Sequence, residues 1–207
     1  MKRARPAYMK TSGYKSKVKK TNTTQAMAVY KQPTNPIRFV RRNADYGPLS
    51  VTNLTGASFA FSFRLSNVPN SAELTSLYDQ YKISAINLRF YPKMTQITST
   101  SNANSIDNVR ILTAIDYNDA TAPTSIDVIR EYENCECHSV LETFDVYIDK
   151  PRILDSSSSS RTSWIATSSP GTLHYGLKGW VEPVQYTAGS FGYQIEAIFY
   201  LAFKNIK

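Results

Sequence analysis

The sequence is poor in the residues from which active sites are most often built. His138, His174, Cys135 and Cys137 are the only histidines and cysteines among 207 residues. Two cysteines this close together exclude a disulfide framework. In NCECHSV, Cys135, Cys137 and His138 crowd three ligands into one short stretch. That spacing is unlike known zinc sites and a fourth ligand is not evident, so the cysteines read as strand residues facing one side. Long apolar runs are also missing: nothing approaches the roughly 18 residues needed to span a bilayer. The charged start leads into Tyr, Ser, Thr and Lys, not into the apolar core of a signal peptide. These absences predict a soluble, intracellular protein, in which the glycosylation sequons at Asn22 and Asn53 are chance matches.

Catalytic signatures are lacking as well. No G-x-S-x-G, P-loop, H-E-x-x-H or dinucleotide fingerprint occurs, and neither histidine lies in a nucleophile or metal motif. Asp116 and Asp119, in AIDYNDA, are close enough to suggest a calcium site or a carboxylate pair. Calcium needs six or more oxygen donors, and acids at a strand end are ordinarily solvated loop residues. The expectation is a non-enzyme with no cofactor and no metal.

The most uneven absence is that of acidic residues, since no Asp or Glu precedes Asp45. Residues 1–42 hold twelve of the 24 basic residues and none of the 16 acidic ones, a net +12 against −4 for the remainder. The first part of this head is polar and has no helical apolar stripe, so it cannot bury enough surface to offset its ordering entropy. It is expected to be disordered when free. A cationic, disordered arm on a slightly acidic body is suited to binding a polyanion by counterion release, without reading bases. The basic residues concerned are Lys2, Arg3, Arg5, Lys10, Lys15, Lys17, Lys19 and Lys20, with Arg38, Arg41 and Arg42 where arm meets body. Tyr8, Tyr14 and Tyr30 are interleaved with the charges and can stack on unpaired bases. Lys2 and Arg3, followed after a spacer by Lys15, Lys17, Lys19 and Lys20, also fit a bipartite nuclear-import signal. The lysines do not choose between RNA and DNA.

Beyond the arm the apolar period becomes two. In SFAFSFRL, Phe59, Phe61, Phe63 and Leu65 alternate with Ala60, Ser62 and Arg64; in ISAINLRFYP, Ile86, Leu88 and Phe90 alternate with Asn87, Arg89 and Tyr91. Val109, Ile111 and Ile115 share a third face. Such alternation marks half-buried strands. Further strands are expected at 37–42, 137–148, 162–167, 174–182 and 193–206. The last is apolar on both faces, which suits a central strand or one whose outer face meets another subunit. Trp180 and Tyr186 look exposed and are expected to pack against neighbouring subunits. SAELTSLYDQY (71–81) reads as the one short helix, with Ser71 as N-cap. Turn-rich linkers are expected at 45–56, 94–108, 118–125 and 155–163, with Ser156–Ser160 as a mobile surface loop. The fold class that follows is all-β: a single eight-stranded jelly-roll β-sandwich over 37–207, preceded by a disordered basic arm over 1–36.

FAFSFRLSNVPNSAELTSLYDQYKISAINLRFYPK (59–93) resembles the capsid proteins of circovirus-like, Rep-encoding circular single-stranded DNA viruses. The similarity is carried by Leu65, Val68 and Pro69, then Tyr78 to Ile83, then Tyr91 and Pro92. TAIDYNDAT (113–121), IDKPRILD (148–155) and YGLKGWVE (175–182) follow in register. The resemblance implies a jelly-roll subunit that assembles with itself into a small icosahedral shell, T=1 with sixty copies. It also implies an inward-turned arm packaging a single-stranded DNA genome. A nuclear import receptor would be a partner, with the protein in the virion and, during assembly, in the host nucleus. Arg38, Arg41 and Arg42 are then expected on the inner wall. The residues name no host-cell receptor or glycan. Read without the resemblance, the residues also fit three other proteins: a non-assembling single-strand-binding protein, the capsid of a small RNA or satellite virus, and a receptor-binding sandwich.

Overall fold

The computed structural model describes residues 37–52, 56–93, 109–153, 163–183 and 190–207. The arm residues Lys2 to Lys31, Ser156–Ser160, the sequons and Tyr186 therefore lie outside the described residues.

Alternating sequence becomes alternating burial. In β3 (Tyr78–Pro92) Ile86, Leu88 and Phe90 are fully buried while Asn87, Arg89 and Tyr91 are half-exposed. β3 pairs antiparallel with β10 (Ser190–Ile206), which pairs in turn with β1 (Arg38–Thr52). β6 (Phe144–Asp149) closes the other side, giving sheet A the order β1-β10-β3-β6, with the short β8 (Ile165–Ala166) also on β3. Sheet B has the order β2-β9-β4-β5, built from Ala57–Phe63, His174–Val181, Arg110–Ala114 and Glu136–Ser139, with β7 (Arg152–Ile153) on β9. Apart from β4 and β5, which are both in sheet B, the chain alternates between the two sheets as a jelly roll does, and β10 is a central strand. Among the described residues the short β7 and β8 make ten strands in place of the expected eight.

Aromatic rings fill the space between the sheets. Phe90 stacks on Phe144 with centroids 4.5 Å apart, Tyr193 meets both edge-on, and Phe63 meets Phe199 edge-on. Each such buried ring contributes roughly 1.5–3 kcal/mol relative to exposure.

Five expectations are corrected. The helix α1 runs only Ser71–Leu77, because Tyr78 turns extended and Tyr81 is drawn into the core by pairing with β10. Its N-cap is Asn70, in the left-handed conformation, not Ser71. The stretch 137–148 is two strands, since the chain turns after Ser139 and crosses from sheet B to sheet A. The linker expected from residue 45 is instead the second half of β1: Gly47, at φ +77°, absorbs a bulge and pairing with β10 resumes. A second helix, α2 (Ile126–Arg130), lies in the β4–β5 connection.

Candidate nucleic-acid interface

β1 forms the free edge of sheet A, and there Arg38, Arg41 and Arg42 are all exposed. They do not share one face. Arg38 and Arg42 lie opposite Phe203 and Phe199, whose rings point to the core, so these guanidiniums leave along the rim of the sandwich. Arg41 lies opposite Tyr200 on the outward face of sheet A. Arg42 also donates from Nη1 to the Arg41 carbonyl at 3.2 Å.

That outward face divides by charge. Toward one end, Asp145 accepts from Arg89 Nε and Asn87 Nδ2, both at 3.1 Å, and Asp45 accepts from Gly47 N–H and the Gln194 amide. Toward the other end are Arg41, Lys82 and Lys204, with Lys204 Nζ 4.5 Å from the centroid of Trp164. Arg41 and Lys82 form no ion pair among the described residues. Between the halves stand two exposed aromatic rings, Tyr147 and Tyr200, with centroids 6.4 Å apart. The sequence pattern indicated the outward tyrosine of β10 but not Tyr147, which stands in a strand whose register depends on the unforeseen turn.

The other charged cluster is internal. Lys178, on β9, points away from the core beneath the β4–β5 connection and is almost fully buried. Its ammonium donates to Asp116 at 2.9 Å and Asp119 at 2.6 Å, while Tyr132 O–H donates to Asp116 at 2.7 Å. The expectation that both acids are solvated is thus corrected: Asp116 is buried, and the cation they converge on is the chain's own lysine. Burial pushes the Asp116 carboxyl up, but hydrogen bonds from Asn118 N–H, Lys178 and Tyr132 outweigh it and hold the group below its ordinary value. Asp119 is lowered to about 2, by the hydrogen bonds from Lys178 and then from Thr121. For Lys178 burial acts downward, and its hydrogen bonds to Asp119 and Asp116 reverse this and raise it.

Cys135 packs beside Leu112, Ala114 and Ile129 just before β5, and Cys137 is exposed within it. The His138 ring stacks on Phe144 at 4.0 Å. Trp180, expected to look exposed, is half-buried and packs on the same patch as Cys135, beside Ile129 of α2. Among the described residues, no group of three or more His, Cys, Asp or Glu could hold a metal ion.

A family model described as circovirus capsid protein matches residues 3–207. The decameric BFDV capsid protein superposes with a TM-score of 0.57 at 16% identity, over 82% of this chain and 100% of that one. The 60-mer BFDV capsid protein gives 0.57 at 14% identity, over 83% and 95%. The Mud crab tombus-like virus structure gives 0.55 at 10% identity, over 99% and 94%. No curated protein sequence matches the chain.

Proposed function

The chain belongs to the circovirus capsid protein family, and from that premise we propose that it assembles into a closed icosahedral shell and packages single-stranded DNA through its basic arm. The observation that carries the packaging reading is the partition of charge, +12 in residues 1–42 against −4 in the rest. A polyanion is held by the number of neutralised phosphates more than by their placement, so an arm of lysines needs no fixed structure to act. At only −4, the body is a far weaker competitor for the arms than a polyanionic genome. Self-assembly through the edges and loops of the sandwich is supported by the jelly-roll topology and by the oligomeric BFDV neighbours. Sixty copies are the natural count for a shell of identical subunits in which each makes the same contacts.

Deleting residues 2–20 tests the reading directly. Negative-stain microscopy is expected to show shells, with an absorbance ratio reporting little nucleic acid. Shells with normal nucleic-acid content overturn the role of the arm, and the absence of shells from the full-length chain overturns assembly. Sequencing of the packaged strand distinguishes DNA from RNA.

The same arm is proposed to direct nuclear import before assembly. A fluorescent reporter carrying residues 1–36 should enter the nucleus, and replacing Lys15, Lys17, Lys19 and Lys20 by Ala should leave it in the cytoplasm. Equal distribution of the two reporters removes the import role.

A further inference from the structure

Two tyrosines stand exposed on the outward face of sheet A, Tyr147 at 56% and Tyr200 at 36%. They come from β6 and β10 and face each other across β3, where the intervening register positions hold Ala85 and Asn87. Along β10 the next outward residue beyond Tyr200 is the buried Ala202, which lies opposite the 73% exposed Phe39 of β1, so a third ring stands on the same face. Arg41 stands beside Tyr200 on β1, and Lys82 stands opposite Ala202 on β3. The nearby acids are already engaged: Asp149 by Lys150 at 3.0 Å, and Asp145 by Arg89 and Asn87.

From this juxtaposition we infer that the outward face of sheet A is a docking platform for unpaired bases, which stack on Tyr200 and Tyr147 while Arg41 and Lys82 hold the adjoining phosphates. The inference rests on the packaging reading and deepens it, because it gives the body a contact of its own with the packaged strand. Two exposed rings flanked by unpaired cations suit a single strand, whose bases offer free faces and whose phosphates lie at the edges. A duplex hides its base faces and would use only the cations. Arg41 and Lys82, which form no ion pair among the described residues, give the face local positive charge suited to the phosphates of a polyanion. Stacking is tolerant of sequence, as packaging of a whole genome requires.

The test uses the full-length chain with a thymidine homopolymer carrying 4-thiothymidine, and a duplex of equal length. Photocrosslinks are expected on Tyr147 and Tyr200 with the single strand and not with the duplex. At elevated salt, where phosphate contacts weaken, Tyr147→Ala/Tyr200→Ala should lose roughly ten-fold in single-strand affinity. Tyr147→Phe/Tyr200→Phe, which keeps the rings, should bind like the parent. Crosslinks confined to residues 1–36 overturn the platform and leave packaging by the arm standing. No binding of the single strand by the full-length chain overturns both. If the alanine pair alters particle size or yield without changing affinity or crosslinks, the face is a contact between copies and the platform is wrong.

Discussion

The Lys178 ammonium lies 2.9 Å from an Asp116 carboxylate oxygen, with the two side chains only 6% and 8% exposed. Asp116 lies two residues past the end of β4, and its N–H donates to the Gly176 carbonyl at 3.2 Å, so the pair pins the start of the β4–β5 connection to β9. Leu112, Ala114 and Ile129 then bury the apolar part of the same connection, with Trp180 beside them. The β4–β5 connection is thereby held over part of sheet B by the chain's own lysine.

Removing one partner of a buried ion pair costs far more than removing both. Lys178→Met should destabilise the subunit by about 3–5 kcal/mol, because Asp116 is left buried without its cation. Adding Asp116→Leu and Asp119→Asn should recover much of that loss. Urea unfolding followed by tryptophan fluorescence reports it, with Trp180 close to the lesion. A single variant as stable as the parent would show that solvent reaches the pair.

His174 gives a second expectation, in pH. It is 2% exposed, with Nδ1 3.3 Å from the Phe63 carbonyl and 3.2 Å from that of Thr172, and burial lowers it from 6.5 to about 4 against those hydrogen bonds. The unfolded chain therefore binds the proton first. The stabilisation is complete above about pH 6.5 and is lost as pH falls toward about 4, on the order of 3 kcal/mol in all. Asp119, lowered to about 2, loses its contribution only as pH falls from the usual carboxylate range through that value. Urea midpoints from pH 7 to pH 4 should fall in the parent and fall less in His174→Gln. Parallel curves would remove His174 as the cause.

The two-residue period exposed most of the fold. Phe59, Phe63, Ile86, Leu88, Phe90 and Ile111 are buried as their alternation demands. What it hid were places where tertiary pairing overrode local preference. Tyr78 to Tyr81 continue a helical pattern in sequence, but β10 offers them hydrogen bonds and a core that an isolated helical turn cannot match. DYGP reads as a turn because a bulge and a turn use the same glycine. Lys178 was legible only as an anomaly, one charge in HYGLKGWV; its partners Asp116 and Asp119 are some sixty residues away and no local pattern joins them. Tyr147 and Tyr200 meet only through the order of strands in sheet A.

Gly179 is required by a ring. It pairs with Phe59 across β2 and β9, and a Cβ there would lie 2.1 Å from Phe59 Cζ and 2.6 Å from both Cε atoms. The ring lies flat over the bare backbone, so the strand gives up side-chain packing at that position to admit it. Gly179→Ala should destabilise by about 1–3 kcal/mol, the usual range for overpacking. Phe59→Leu, added to it, should cost less than the two separate effects combined, because the smaller side chain clears the methyl. Thermal unfolding of the two single variants and the double variant measures the coupling, and strict additivity would show that the ring moves aside freely.

Salt separates what the arm does from what the body does. Each phosphate neutralised on a single strand contributes about 0.7 to the slope of log affinity against log salt. Residues 2–20 carry eight basic groups, so deleting them should flatten the slope by up to about 5 to 6, whatever the sequence of the strand. Arg41→Ala removes one group and should flatten it by no more than about 0.7, with the arm intact. The affinity that remains at high salt should hardly change in either variant, because it does not depend on counterions. Titrations of fluorescent single strands over a range of salt measure both quantities. An arm deletion that leaves the slope intact would place the electrostatic contact on the body, where Arg38, Arg41 and Arg42 are exposed along β1.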